Sequence, residues 1–245
     1  MADSLSKKSA GKISGGLSMV LPAYNEGKNI QAVVDEAKPI LDKIADRWEI
    51  IIVDDGSTDG TGAISQKLAQ DNSRIKLVSH SNNQGYGSAL ASGFKAATMR
   101  WIFFTDADRQ FRIAEIERLI PGLGSSKMVI GFREQRGDRL HRRVYGTAFT
   151  GVVNLLFGLS VKDVNCAFKI FDRSVIEGER MISRGALINA ELLSIAKSKG
   201  IKPVQVPVSH FPRQAGAQTG GSLKVILRAA GELVRLFFHR LRKSG

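Results

Sequence analysis

Short apolar runs at 17–21, 49–53, 75–78, 101–105 and 128–131 alternate with stretches of helical periodicity at 28–44, 61–70, 88–99 and 113–119. Runs of four or five apolar residues between turn residues have the length of buried strands, and the longer amphipathic stretches between them have the length of helices. That alternation predicts an α/β fold: a mainly parallel, twisted, Rossmann-like sheet flanked by helices. In such sheets ligands bind beyond the carboxyl ends of the strands.

After Arg133 the pattern changes. A basic stretch at 133–143 leads into a mostly apolar helical stretch at 144–159, followed by a strand at 167–171, a helix at 186–199, a strand at 202–208 and a last helix from Ser222. No linker separates the two halves, so the expected division is a flexible N-terminal arm (1–16), one main domain (17–221) and a C-terminal basic amphipathic helix (222–245).

The chain has 245 residues, 43% of them hydrophobic, enough for the core of one such domain. Cys166 is its one cysteine and has no partner for an internal disulfide, and no Cys/His cluster has zinc spacing. Any metal is therefore expected on oxygen ligands. The polar start lacks the apolar core of a signal peptide, and no apolar run approaches the roughly 18 residues of a membrane span, so a cytoplasmic chain is expected. A formal charge of +13 favours a polyanionic partner without choosing among nucleic acid, anionic lipid and phosphorylated substrate. Aromatic residues make up 7% and do not interleave with basic ones as in a nucleic-acid-binding sheet, so no nucleic-acid partner is expected.

Three polar clusters fall at strand exits: Pro22-Ala23-Tyr24-Asn25-Glu26, Asp54-Asp55-Gly56-Ser57-Thr58-Asp59-Gly60 and Asp106-Ala107-Asp108. Each alone reads equally well as turn or helix-cap chemistry; their joint placement singles them out. Asp55, Ser57, Asp59 and Gly60 imitate the start of a calcium loop, but Gln66 stands where the closing glutamate belongs. Gly85-Tyr86-Gly87 lacks the third glycine of a dinucleotide fingerprint, because Leu90 takes its place. At the fourth exit, an apolar strand delivers two carboxylates separated by one small residue, which need a counter-charge. Mg²⁺ or Mn²⁺, completed by water and substrate phosphates, suits such oxygen ligands and would stabilise a departing diphosphate.

With these motifs go Val53 and Thr61 around the second cluster, Asn83-Gln84-Gly85-Tyr86-Gly87, Asp106-Ala107-Asp108-Arg109-Gln110, Gly131-Phe132-Arg133 and Arg213-Gln214-Ala215-Gly216. In order and spacing they resemble the family 2 glycosyltransferases of GT-A fold, and within them the dolichol-phosphate mannose synthase-like, polyprenyl-phosphate glycosyltransferase group. The resemblance runs from about residue 17 to 236. It implies that Pro22, Ala23, Tyr24, Glu26, Asp54, Asp55, Asp106 and Ala107 line the site of a GDP- or UDP-linked sugar. It also implies that Asp106, Asp108 and Gln110 hold the metal, Gln110 having the alternative of a solvent-facing first helical turn. Arg133, Arg142 or Arg143, and Arg213 match phosphate-binding positions, on the donor diphosphate or an acceptor phosphate. The loop at Arg213 departs from the group's pattern, with Gln218 where a serine is usual. Asp163 matches an acceptor-side acidic residue; a helix-cap or turn role is its alternative. A hydroxyl acceptor needs a general base, whereas a lipid phosphate is already ionised and needs orientation.

On the last helix Ile226, Ala230, Leu233, Phe237 and Leu241 share one side, and Lys224, Arg228, Arg235, His239 and Arg242 the other. Such a helix either lies on an anionic membrane surface or packs its apolar side on the domain. The expected activity is inverting, metal-dependent transfer of a hexose onto a polyprenyl phosphate, dolichyl or undecaprenyl, by a peripheral enzyme at the cytoplasmic membrane face. Transfer to a saccharide or other hydroxyl is its rival within the same class.

Overall fold

A computed structural model of the chain describes residues 12–136, 140–213 and 223–244, without the side chains of 135, 136, 140–145, 223–230, 241, 243 and 244. Seven strands, β1 (Leu17–Ala23), β2 (Trp48–Asp54), β3 (Ile75–Ser79), β4 (Trp101–Thr105), β5 (Met128–Arg136), β6 (Phe168–Asp172) and β7 (Val204–His210), form one sheet in the order β3-β2-β1-β4-β6-β5-β7. Helices α1 (Ile30–Ile44), α2 (Thr61–Asp71) and α3 (Tyr86–Ala96) join the first four strands, and α4 (Leu140–Phe157), α5 (Ile188–Ser198) and α6 (Leu223–Ser244) follow in the second half.

Covering both faces of the sheet explains why the central strands read as continuous apolar runs. Every residue of β1, β2, β4 and β6 is buried. Phe94 on α3 packs edge-on against Phe104 and Phe171, with centroids 5.4 and 5.3 Å apart, and Phe103 meets Phe168 at 4.8 Å. On α1 the buried stripe is Ile30, Val33, Val34, Ala37, Leu41 and Ile44, the three-and-four spacing of a helix lying on a sheet.

Strand direction places the site. β1 pairs in parallel with β2 and β4, β2 with β3, and β5 with β7, whereas β6 runs antiparallel to both β4 and β5. One reversed strand between β4 and β5 leaves β5 and β7 pointing the same way as β1 and β4. The carboxyl ends of six strands and the amino end of β6 therefore share one edge. The polar clusters at 22–26, 54–60 and 106–108 and the loop at 83–87 leave the sheet there, Arg133 lies near the end of β5, and Arg213 follows β7.

Two local expectations differ from the structure, and for the last helix one of the two alternatives is met where side chains are described. The stretch 113–119 forms a 3₁₀ helix, Ile113–Arg118, with a second, Ile120–Gly124, directly after it, where Pro121 has no N–H to continue an α-helix. Residues 12–16 of the supposed flexible arm are tied down: Ile13 is buried and its N–H donates to Ile44 O at 2.7 Å, while Gly15 O and Gly16 O accept from Arg100 and Trp101. On α6, Leu233 and Leu236 are buried, Phe237 is half-buried, and Arg240 is buried on Glu179 (3.1 Å) and Ser198 (2.7 Å). Where side chains are described, then, the apolar side packs on the domain; Lys224, Ile226, Arg228, Ala230 and Leu241 lie outside the described residues.

Gly93 lets α3 sit close on the sheet: a Cβ there would stand 2.3 Å from Val20 Cγ1 and 3.1 Å from Val53 Cγ2. Gly93→Val is expected to destabilise the fold by about 1–3 kcal/mol, the usual range for an overpacked core. Urea denaturation followed by circular dichroism checks this, and an unchanged midpoint would contradict the close packing.

Candidate functional site

The exits of β1 and β2 are stitched together before any ligand is considered. Asp55 N–H donates to Ala23 O (2.9 Å), Asn25 N–H to Ser57 Oγ (2.9 Å), Thr58 N–H to Asn25 Oδ1 (2.9 Å) and Glu26 N–H to Thr61 Oγ1 (2.8 Å). Asn25 holds a left-handed φ of 57°, a conformation asparagine tolerates better than most residues. Pro22 and Ala23 end the buried strand, and Tyr24 stands exposed at the rim.

The adjacent aspartates of the second exit serve different partners. Asp54 Oδ1 accepts from Ser57 N–H at 3.1 Å. Asp55 is buried and accepts from the N–H groups of Gln84 and Gly85, both at 2.9 Å, with His80 Nδ1 at 2.6 Å; His80 Nε2 lies 2.9 Å from Ser92 Oγ. Asp55 thus fastens the loop leading into α3 to the floor of the crevice. His80 is a contributor that sequence reasoning passed over, since a lone histidine after a strand carries no signal.

The β4 exit holds the least satisfied charge. Asp106 Oδ1 and the Tyr86 hydroxyl are both buried without a well-formed hydrogen bond, although the phenol stands close enough to Asp106 to act on its carboxyl in the lowering direction. Burial, reinforced by the neighbouring Asp108 carboxylate, pushes the Asp106 carboxyl up to about 7. Burial and then Asp106 raise the Tyr86 phenol well above its ordinary range. Asp108, 7% exposed, accepts from Gln110 N–H at 3.1 Å and is also raised, chiefly by burial. Ala107 between them is buried, and Arg109 takes a left-handed φ of 61°, uncommon for a long side chain and a sign of a constrained turn.

The β7 exit closes over these groups. Gln110 Nε2 donates to Phe211 O (3.0 Å) while Phe211 N–H donates to Gln110 O (2.8 Å), which brings Arg213 across the crevice. Arg213 donates to Glu26 Oε1, and its Nη1 lies 3.7 Å from Asp108 Oδ2. Burial raises the Glu26 carboxyl, against the lowering influence of its Asn29 (2.7 Å) and Arg213 partners.

On the far side, Arg133 at the β5 exit grips Asp163 through two parallel bonds, Nε to Oδ2 at 2.7 Å and Nη2 to Oδ1 at 3.0 Å. Asp163 is 2% exposed. This is the fork-to-carboxylate geometry that makes arginine the usual partner of planar anions. Arg142 and Arg143 belong to the first turn of α4, and their side chains, like Gln214, Ala215, Gly216 and Gln218 of the Arg213 loop, lie outside the described residues.

A divalent cation fits the donor set at Asp106 and Asp108. A buried carboxylate oxygen without a well-formed hydrogen bond, beside a second raised carboxylate, is a place short of positive charge. The Gln110 amide oxygen is left over by the bond to Phe211. Among the described residues no group of three or more His, Cys, Asp or Glu side chains could hold a metal by itself, so water and substrate oxygens would complete the coordination.

A family model described as Glycosyl transferase family 2 matches residues 18–183. The dolichyl-phosphate beta-glucosyltransferase of Saccharomyces cerevisiae is 29% identical over 223 residues, covering 79% of this chain and 66% of that protein. The undecaprenyl-phosphate 4-deoxy-4-formamido-L-arabinose transferase of Edwardsiella ictaluri is also 29% identical, over 86% of this chain and 64% of its own length. The chain therefore spans about two thirds of the length of these relatives. Among solved structures, glucosyl-3-phosphoglycerate synthase from Mycobacterium tuberculosis with Mn²⁺ and UDP-glucose superposes with a TM-score of 0.69 at 20% identity, covering 93% of this chain and 79% of that one. That likeness is one of fold, and it bears out the α/β, GT-A architecture.

The raised Asp106 gives a testable pH dependence. An unfolded aspartate ionises near pH 4, whereas the folded one keeps its proton up to about 7. Between these values the folded state binds more protons, so this group's contribution to stability is lost as pH rises through that window. In EDTA, Asp106→Asn is expected to melt above wild type at pH 8 and to decline less steeply between pH 4 and 7 in scanning calorimetry. A variant melting below wild type at pH 8 would contradict the assignment.

Proposed function

The chain belongs to glycosyl transferase family 2, and from that membership we propose that it transfers a hexose, with inversion, from a GDP- or UDP-linked sugar to a polyprenyl phosphate such as dolichyl or undecaprenyl phosphate. The observation that carries this reading is the cation-deficient carboxylate cluster at β4, bridged by Arg213 and faced from β5 by Arg133. The carboxylates suit a nucleotide diphosphate and its metal, the arginines an anionic acceptor. The relatives named for dolichyl and undecaprenyl phosphate support the acceptor class.

The donor lies against the β1 and β2 exits, with Pro22, Ala23, Tyr24, Glu26, Asp54, Asp55 and Ala107 around the nucleotide. Asp106, Asp108 and Gln110 would hold Mg²⁺ or Mn²⁺, which would supply positive charge to the departing diphosphate. A phosphate oxygen of the acceptor attacks the anomeric carbon on the face opposite that diphosphate. The new carbon–oxygen bond forms as the old one breaks, in one displacement. Arg133, Arg213 and Arg142 or Arg143 hold and orient the two phosphate groups.

The Asp163 geometry favours a phosphate over a hydroxyl acceptor. Both Asp163 oxygens accept from the Arg133 guanidinium, so the carboxylate is committed to holding that arginine and is not presented alone to an acceptor hydroxyl. An ionised phosphate needs no general base. Asp163 then serves by fixing the Arg133 guanidinium.

The acceptor's lipid tail places the reaction at a membrane surface. Among the described residues no helix is long and apolar enough to cross one. Val152, Leu155 and Leu156 on α4 and Val234 and Phe238 on α6 are exposed, Leu155 at 83%, and the two helices meet where Phe157 and Phe237 pack edge-to-face with centroids 6.2 Å apart. Apart from the buried Arg240, helix α6 carries Lys224, Arg228, Arg235, Arg242 and Lys243 against the acid Glu232. Apolar side chains set among cations suit a peripheral seat on anionic lipid, on the cytoplasmic face.

With membrane-bound polyprenyl phosphate, Mn²⁺ and a panel of labelled nucleotide sugars, labelled lipid-phosphate product is expected from one donor; product only on saccharide acceptors would overturn the reading. Asp108→Asn should lower kcat/KM on the order of 10²–10³-fold, the scale of losing a charge-stabilising group. Asp163→Asn should lower it by less than the roughly 10²-fold minimum of a lost general base. The double variant Leu155→Asp/Phe238→Asp should lose co-sedimentation with phosphatidylglycerol vesicles while keeping its fold.

A further inference from the structure

Lys169 is the residue whose burial the reaction scheme above leaves unexplained. It lies mid-strand in β6, opposite Phe104 of β4 and Ile130 of β5, and is 0% exposed. Its strand neighbours Phe168, Ile170 and Phe171 are equally buried. Its ammonium donates to three neutral oxygens: Val164 O at 3.1 Å, Cys166 O, and Asn189 Oδ1 at 2.8 Å. Among the described residues no carboxylate forms an ion pair with it, and burial lowers its pKa to about 8.

An apolar residue would fill this place at less expense, because an ammonium removed from water needs more than neutral acceptors to repay its lost hydration. Two features show what the charge is placed to do. The carbonyls of 164 and 166 belong to the turn that starts at Asp163, so Lys169 pins the chain that presents the carboxylate gripping Arg133. The ionisable groups acting on Lys169 are, in order, the Cys166 thiol, Asp163, Arg133 and Asp106. Its third acceptor, Asn189, sits near the start of α5 and is among the groups acting on the Tyr86 phenol beside Asp106.

We infer that Lys169 is a positioning residue for the transfer reaction, a buried cation that holds the turn after Asp163, and through Asp163 the Arg133 guanidinium, in place from below. This rests on the reading of the site given above. It acts on the alignment of bound reactants and not on their capture. Loss of the charge therefore falls on kcat and spares the KM for the nucleotide sugar.

Three substitutions separate charge from shape. Lys169→Met keeps length without polarity, Lys169→Gln keeps N–H donors without charge, and Lys169→Arg keeps charge. The uncharged variants are expected to retain the wild-type circular dichroism spectrum, with Lys169→Met melting below Lys169→Gln, since Met leaves three buried acceptors without their donor. Their kcat should fall on the order of 10–100-fold, with donor KM changed less than about threefold, a loss of alignment and not of binding. Lys169→Arg should recover most of the kcat. In a cycle with Asp163→Asn, the second substitution should cost less than it does alone, because both act on the same turn.

A folded Lys169→Met or Lys169→Gln enzyme with wild-type kcat would overturn the proposal. So would failure of both uncharged variants to fold, which would make the role purely structural, or a loss confined to KM. Absence of transfer by the wild-type enzyme would instead count against the proposed reaction itself.

Discussion

Arg213 reaches from beyond β7 to Glu26 at the β1 exit and toward Asp108 at the β4 exit, and this bridge defines the crevice. Without a cation between them, the carboxylates delivered by those two strands would repel across a poorly solvated space. One guanidinium meets part of the need. Asp106 keeps a buried oxygen with no well-formed hydrogen bond, and the carboxyls of Glu26, Asp106 and Asp108 are all raised by burial. The site is folded but under-compensated, the state in which a bound cation and a polyanionic ligand have most to contribute.

The sheet makes that concentration of charge possible. Because β6 is the reversed strand, the exits of β1, β2, β4, β5 and β7 and the turn before β6 converge on one edge. The fully buried central strands supply the rigidity, and the loops between exits are laced by backbone donors to Asp54, Asp55 and Asp59. Part of the acidic signature is thus spent on holding the loops, and a smaller part on whatever binds. Asp55 in particular is tied to Gln84, Gly85 and His80, so its effect on a nucleotide would pass through the loop it anchors.

Much of this was legible in the residue order. Apolar runs such as Trp101-Ile102-Phe103-Phe104-Thr105 announce a strand buried on both faces, and a polar cluster directly after such a run must sit at its carboxyl end. What periodicity could not supply was partnership across distance. Arg213 and Glu26 are 187 positions apart, Arg133 and Asp163 are 30, and nothing local tells an arginine which carboxylate it will face. The stretch 113–119 keeps helical spacing, yet Pro121 and the close approach of Gly122 to Val129 leave room only for 3₁₀ turns. Lys169 did carry a signal, a charge inside the apolar run Phe168-Lys169-Ile170-Phe171, and its meaning emerged only once the strand proved buried on both sides.

The central claim is that the Asp106–Asp108 pair is completed by a cation and a nucleoside diphosphate together. Calorimetric titration of Mn²⁺ into the protein, with and without saturating GDP or UDP, tests it most directly. The account predicts weak binding of Mn²⁺ alone, strengthened by about tenfold or more when one of the two nucleotides is present, and lost in Asp108→Asn. Mn²⁺ affinity indifferent to both nucleotides, or undiminished without the Asp108 carboxylate, would contradict it.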